Sequence, residues 1–412
     1  MSKSANHFEE FEPHTRLKHL ILKTYLQSWA RKLLLRPGAG DTVVFIDACA
    51  GRGMDDVGNQ GSPIIAAKEA AIAAKQVGDM RGTPVHVTTI AIEKRADHYK
   101  ALKLALAPSG PGARALRGTL SDFLPQLLTE FDSAPILCFI DPFGIEPLRA
   151  DVVRAVLARP HSEVFVLFAD QACLRHFGAT AAADEAVNKL PEHDLFSSAG
   201  VAVPATEGNP EAEDALQITA ERAREILDSA FGDDSWYERI MKTPRQARRD
   251  EFLMMYVEFL KACGAEYVLP IPVRNEENQH VYHLVHATHS GRGHIAMKEA
   301  VSHALRNTEL SDSVTRTIQF AIRTNIQAVA SSLVQKFAGC LLNWTSSVGG
   351  LPALKEYALA NTPIYPHEMN ELRAMLKPYR LKGIKAFVYQ FPDEPQNPQP
   401  TSTDSSRRGD AA

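Results

Sequence analysis

Residues 41 to 53 read Asp41-Thr42-Val43-Val44-Phe45-Ile46-Asp47-Ala48-Cys49-Ala50-Gly51-Arg52-Gly53. The β-branched and aromatic run at 42–47 ends in a carboxylate and enters a glycine-bearing turn. An Ala-rich helix is expected after it, from Ile64 to Lys75. That order is strand, loop, helix. Downstream the unit recurs. VHVTTIAIE at 85–93 reads as a strand ending in Glu93, with a helix from Asp97 to Leu106. A third strand is expected at Ala113 to Arg117, before SDFLPQLL. A fourth, ILCFID at 136–141, runs into DPFG, and a fifth is EVFVLF at 163–168. Five strands alternating with helices predict an α/β protein with a Rossmann-like parallel sheet covered on both faces. Ligands of open sheets of this kind bind at the carboxyl ends of the strands.

Outward from that core, residues 14–35 form an amphipathic helix, with Leu17, Leu20, Ile21, Tyr25 and Trp29 at helical spacing. Arg36, Pro37, Gly38 and Gly40 end it. Between 170 and 250, helical runs are broken by Gly, Pro and Glu, as in GVAVPATEGNPEAED; this reads as a helical insertion or lid. A helix at Asp250 to Cys263 follows, and AEYVLPIPV and HVYHLVHATH then flank the polar turn RNEENQ as an antiparallel hairpin. The 412 residues exceed one ordinary core. The expected division is a Rossmann-like domain over 1–300, a mostly helical, winged-helix-like region over 301–391, and a disordered Pro- and Ser-rich tail over 392–412.

Composition excludes several classes. The formal net charge of −4 rules out binding nucleic acid with the whole surface and leaves only a local patch. Cys49, Cys138, Cys173, Cys263 and Cys340 contain no CxxC pair, which argues for buried, reduced thiols and against a structural zinc site. No stretch approaches the roughly 20 apolar residues of a membrane span, and the acidic start (Glu9, Glu10, Glu12) lacks a signal-peptide core. A cytoplasmic protein is expected, with no metal.

The candidate site residues stand at strand ends. Gly51 and Gly53 let backbone approach a ligand, Ala48 lies in the same turn, and Asp47 is placed to accept from a ligand ammonium group. An ordinary βα turn would use the same glycines. Glu93 closes the second strand, where a carboxylate bonds the ribose hydroxyls of a nucleoside cofactor; a plain strand-end carboxylate is the alternative. The turn lacks the full G-x-G-x-x-G of pyrophosphate binders, which disfavours NAD and fits S-adenosylmethionine. Asp122 meets the adenine amine or caps the helix of FLPQLL, with Ser121 the competing cap. Asp141, Pro142, Phe143 and Gly144 are the most specific signal. A carboxylate or prolyl carbonyl can accept from an exocyclic amine and Phe143 can stack on a base, although a Pro-Gly turn closing a buried strand would look alike. His14, Lys18 and His19 read as a solvated helix face, with covering the cofactor or contacting phosphate as the alternative. Gly61-Ser62-Pro63 adds a loop contact or a cap. Lys242, Arg245, Arg248 and Arg249 form a basic run of the kind that is usually a solvated face, and they are the best candidate for a phosphate track. His280, His283, His286, His289 and His294, with no carboxylate cluster beside them in sequence, argue poorly for metal.

These motifs together, HTRLKHLILKTYLQSW, FIDACAGRG, GSP, IE at Glu93, DPFG and YHLVHAT, resemble the bacterial three-Cys-motif partner proteins. That resemblance spans roughly residues 14 to 300. It implies a class I S-adenosylmethionine-dependent methyltransferase-like sheet and a companion protein carrying a three-cysteine motif. DPFG alone is also similar to the tetrad of tRNA guanine dimethyltransferases. The expected function is N-methylation of an exocyclic amine on a nucleic-acid base. The competing expectation is a non-catalytic, methyltransferase-like subunit of a two-protein system. Neither the oligomeric state nor the acceptor follows from the sequence.

Overall fold

The computed structural model describes residues 13–142, 144–188, 219–275, 277–306, 324–382 and 387–392. Phe143 and the tail from 393 onward lie outside the described residues. By internal contacts the chain divides into two units, Met1–Arg323 and Thr324–Ala412. The boundary expected at 300 falls inside a helix, Gly291–Ala304, whose Met297, Ala300, Val301 and Ala304 are buried.

The first unit opens with α1 (Pro13–Leu34), whose Leu17, Ile21, Leu22, Tyr25, Leu26, Trp29 and Ala30 form its buried stripe. There follow β1 (Thr42–Asp47), α2 (Ser62–Arg81), β2 (His86–Glu93), α3 (Ala96–Leu106), β3 (Ala113–Arg117) and α4 (Leu120–Glu130). Next come β4 (Ile136–Ile140), α5 (Ala150–Leu157), β5 (Glu163–Phe168), α6 (Asp170–Asn188), α7 (Ala220–Phe231), α8 (Ser235–Lys242) and α9 (Arg248–Ala262). The unit ends with β6 (Tyr267–Arg274), β7 (His280–Thr288) and α10 (Gly291–Ala304).

The seven strands form one sheet in the order β3-β2-β1-β4-β5-β7-β6. β1 to β5 pair in parallel, and β7 runs antiparallel to both β5 and β6. The five βα units and the hairpin are therefore where the sequence places them. The central strands read as continuous apolar runs because both faces are covered. Val44, Ile46, Cys138, Ile140, Val164 and Val166 pack on one face with α4, α5, α7 and α9. On the other, Phe45, Phe139 and Phe165 form a ribbon with centroid spacings of 6.4 and 5.5 Å, which His286 continues toward Tyr25 of α1.

The segment expected as a helical insertion or lid, 170–250, is helical where it is described. Its helices bury Phe177, Ile226, Leu227, Trp236 and Ile240 in the cluster that covers β4 and β5, together with Phe252 and Tyr256 of α9. They form one wall of the core, because a helix carrying that much aromatic surface must cover a sheet. The five cysteines are free; Cys138 and Cys173 are buried, while Cys49, Cys263 and Cys340 are only half-buried.

The second unit runs α11 (Ile326–Lys336), β8 (Leu341–Asn343), α12 (Leu354–Asn361), α13 (Met369–Met375) and β9 (Val388–Gln390). β8 and β9 pair antiparallel. The strand β8 and the helix before it were not legible as separate elements in sequence. Among the described residues, no helix is long and apolar enough to cross a membrane.

Candidate functional site

The carboxyl ends of β1, β2 and β4 lie side by side, since Asp47 stands opposite Ala91 on one flank and Phe139 on the other. Beyond Asp47 the loop stays tied to both neighbouring strands: Ala48 N–H donates to the Phe139 carbonyl and Ala50 N–H to the Ile92 carbonyl. Ligands of open sheets of this kind bind at these carboxyl ends.

Glu93 is the last residue of β2 and bonds to this turn. Its Oε2 accepts from Gly51 N–H at 2.9 Å and its Oε1 from Arg95 N–H at 2.7 Å. Each oxygen keeps a second lone pair, and the residue retains 9% of its surface. Gly51 has φ +61°, and a Cβ there would meet nothing within 4 Å, so the turn faces open space. Gly53, at φ +81°, is tightly held instead: a Cβ would come within 3.2 Å of Leu102 Cδ1 and 3.3 Å of Ala105 Cβ.

Asp47 is fully buried, and both of its oxygens are used within the chain. Oδ2 accepts from Ser62 Oγ at 2.6 Å and Oδ1 from Cys49 N–H at 3.3 Å. Gly61 N–H donates to the Gly53 carbonyl at 2.8 Å. The Gly61-Ser62-Pro63 segment therefore latches the β1 loop shut over Asp47 and starts α2, with Gly61 as the N-cap residue and a proline in the first turn. Burial raises the Asp47 carboxyl to about 7; the Ser62 hydrogen bond opposes this and the nearby Asp141 charge adds to it.

Asp122 occupies the third position of a capping box: Thr119 N–H and Oγ1 both donate to its Oδ2, at 2.7 and 2.8 Å. The helix cap is Thr119 rather than Ser121 or Asp122, because α4 begins one residue earlier than FLPQLL suggests. These hydrogen bonds hold the Asp122 carboxyl below its ordinary value.

Asp141 follows β4 directly and meets a partner that sequence reasoning did not assign to it. Lys18 Nζ, from α1, lies 2.5 Å from Asp141 Oδ2. Lys18 is buried, not part of a solvated face: a lysine four residues after His14 on a mixed helix looks solvated until the helix docks. His14 stands edge-on to Tyr282 of β7 at 5.9 Å, so the start of α1 spans from β4 to β7 across the strand ends. Pro142 is buried beside Asp141, and Gly144 has φ +94° with open space where a Cβ would lie.

The basic run disperses. Lys242 pairs with Glu238, Arg248 lies 4.8 Å over the Phe177 ring, and Arg245 and Arg249 line a recess with Leu174 and Asp250. The histidines of the hairpin do acquire carboxylates. His286 meets Glu163 at 3.1 Å, while His280 and His283 both meet Asp170, over a hundred residues earlier in the chain.

The strand order, with one antiparallel strand next to the edge and acidic residues closing β1 and β2, defines a Rossmann-like fold of the class I methyltransferase kind. No family model and no curated protein matches the sequence. Among solved structures, the chain is similar to an O-methyltransferase from Bacillus cereus in complex with S-adenosylhomocysteine (10% identity, 68% of this chain and 83% of that one, TM-score 0.33). It is similar also to the O-methyltransferase TomG from Streptomyces achromogenes in complex with S-adenosylmethionine (13% identity, 70% and 94%, TM-score 0.31). A third is geranyl diphosphate C-methyltransferase from Streptomyces coelicolor (11% identity, 64% and 78%, TM-score 0.25).

Proposed function

We propose that this protein is an S-adenosylmethionine-dependent methyltransferase acting on an exocyclic amine of a nucleic-acid base. The observation that carries the reading is the cluster at the carboxyl ends of β1, β2 and β4: Glu93 bonded to the Gly51 turn, open space beside Gly51, and Asp141 held by Lys18. The cofactor's fit rests on Glu93: both oxygens are anchored by backbone N–H groups yet keep lone pairs for two ribose hydroxyls. Ala48, Gly51 and Gly53 shape the turn beside it. Asp47, enclosed by Ser62 and Cys49, contributes by holding that turn. Asp122 Oδ2 serves the capping box, which leaves Oδ1 for the adenine amine.

When bound, the cofactor supplies an electrophilic methyl group on a sulfonium. The chain's task is to present the amine in line with it. Lys18 fixes one oxygen of Asp141, so the other can accept an amine N–H. The Pro142 carbonyl is the second candidate acceptor, Gly144 allows the turn, and the sequence offers Phe143 as the stacking ring. The helix, strand, two helices, strand order of the second unit is the order of a winged helix, which supports a nucleic-acid substrate.

Titration calorimetry with S-adenosylmethionine tests the cofactor reading: binding by the native chain and its loss in Glu93→Ala are expected, and no binding by the native chain ends it. Transfer of label from methyl-labelled cofactor to RNA or DNA, followed by nucleoside analysis, tests the acceptor. Label on a base amine is expected; label confined to a hydroxyl or to protein rejects that part.

A further inference from the structure

We propose that Asp170, His280 and His283 bind one divalent transition-metal cation of the zinc class. This site is independent of the methyltransferase reading. It sits at the carboxyl edge of the sheet, where β5 gives way to α6 and β7 begins.

His280 and His283 are three residues apart on one strand, a spacing that ordinarily points side chains to opposite faces. The register of β7 on β6 slips here: Val273 pairs with Tyr282, but Arg274 pairs with His280. Val281 is therefore a bulge residue, and the bulge re-aims His280 toward the side of His283. The two rings come within 4.5 Å of each other. A carboxylate from a different element completes the cluster. His280 Nε2 lies 2.6 Å and His283 Nδ1 2.8 Å from the same oxygen, Asp170 Oδ2.

All three side chains are withdrawn from water, Asp170 completely. Two ring nitrogens crowd one carboxylate oxygen, while its twin, Asp170 Oδ1, is buried with no hydrogen-bond partner among the described residues. An arrangement built only for hydrogen bonding would spread the donors over both oxygens. A cation held by Oδ2 and the two nitrogens gives Oδ1 a use as well, as acceptor from a water on that cation. Tetrahedral ligation at zinc distances needs donors about 3.3 Å apart, so the nitrogens must withdraw from the oxygen by about 0.5–0.7 Å, within reach of side-chain rotation.

Two imidazoles and one carboxylate select Zn²⁺, Co²⁺, Ni²⁺ or Fe²⁺ over Mg²⁺ and Ca²⁺, which prefer all-oxygen shells. Three protein ligands leave a coordination position for water or another ligand.

The test uses the full, untagged chain, stripped with chelator and titrated with Zn²⁺ by calorimetry, and with Co²⁺ by visible absorption. One Zn²⁺ per chain is expected, with affinity falling about 100-fold in His280→Gln and in His283→Gln, as for loss of one of three ligands. Circular dichroism checks that the variants fold. Absence of binding by the native chain, or equal binding by folded variants, overturns the proposal. Should both variants unfold, the Co²⁺ spectrum of the native chain decides: intense ligand-field bands of a four-coordinate N/O site support it, and their absence overturns it.

Discussion

Lys18 Nζ lies 2.5 Å from Asp141 Oδ2, joining the first helix to the end of β4 across 123 residues of sequence. Their side chains retain 9% and 17% of their surface. Removing one member of such a pair strands the other in a poorly hydrated site, at a cost of about 3–5 kcal/mol when burial is complete. Partial exposure puts Lys18→Met at the lower end, about 3 kcal/mol by denaturant unfolding. Replacing both residues removes the stranded charge, so Lys18→Met/Asp141→Leu is expected to cost less than the two single changes added together. Simple additivity would show that the pair is not coupled.

Asp47 gives a pH signature. Its carboxyl is raised from 3.8 to about 7, chiefly by burial. The folded state thus holds a proton that the unfolded chain has released, so the group's stabilisation is complete below about pH 4 and is lost as pH rises through about 7. Wild type should lose stability relative to Asp47→Asn between about pH 4 and 7. The loss should reach a few kcal/mol, since each tenfold change in proton affinity is worth about 1.4 kcal/mol. Thermal unfolding of both proteins across that range checks it. A constant difference would mean that Asp47 is ionised throughout.

The sheet was legible because each strand announces its own end. An apolar run too short for a helix stops at Asp47, Glu93 or Asp141, and a turn follows. The hairpin was legible for the same reason, with RNEENQ between two β-rich runs. What stayed hidden depends on distance or on a break in periodicity. Lys18 looks like any helix-surface lysine until α1 docks across β4. His280 and His283 appear to face opposite ways unless the bulge at Val281 is known, and their carboxylate comes from the start of α6. The helices after β5 read as a helical insertion or lid because Gly- and Pro-rich breaks dominate the composition there. How they pack stayed hidden: Trp236 is buried beside Phe252 and Tyr256 of α9.

The two glycines of the first turn should respond differently to alanine. Gly51 carries only the cost of a left-handed backbone, roughly 1–2 kcal/mol, because its Cβ would enter open space. Gly53 carries that strain and also a clash with Leu102 and Ala105, which adds about 1–3 kcal/mol of overpacking. Gly53→Ala should therefore melt well below Gly51→Ala. Gly51→Ala should instead act mainly on cofactor titration, since its methyl group would stand in the open space of the turn bonded to Glu93. Equal losses of stability would contradict the packing seen at Gly53.

Glu163 tests how α1 is held against the sheet. Its carboxylate, buried at the start of β5, accepts from Tyr25 of α1 and from Thr288 Oγ1 at 2.7 Å, and stands 3.1 Å from His286 Nε2. Tyr25→Phe keeps the ring packing against His286, at 4.9 Å, and deletes one hydrogen bond to an acidic partner. A loss of about 1.5–3 kcal/mol is expected. Gly293→Ala attacks the same group from α10, where a Cβ would fall 2.7 Å from Glu163 Oε1 and 2.9 Å from Thr288 Oγ1. The α10 backbone or the Glu163–Thr288 pair must then shift. Because both changes strain one network, the double variant should lose less than the sum, read by chemical denaturation. Full additivity would mean that α1 and α10 are held independently and that Glu163 does not link them.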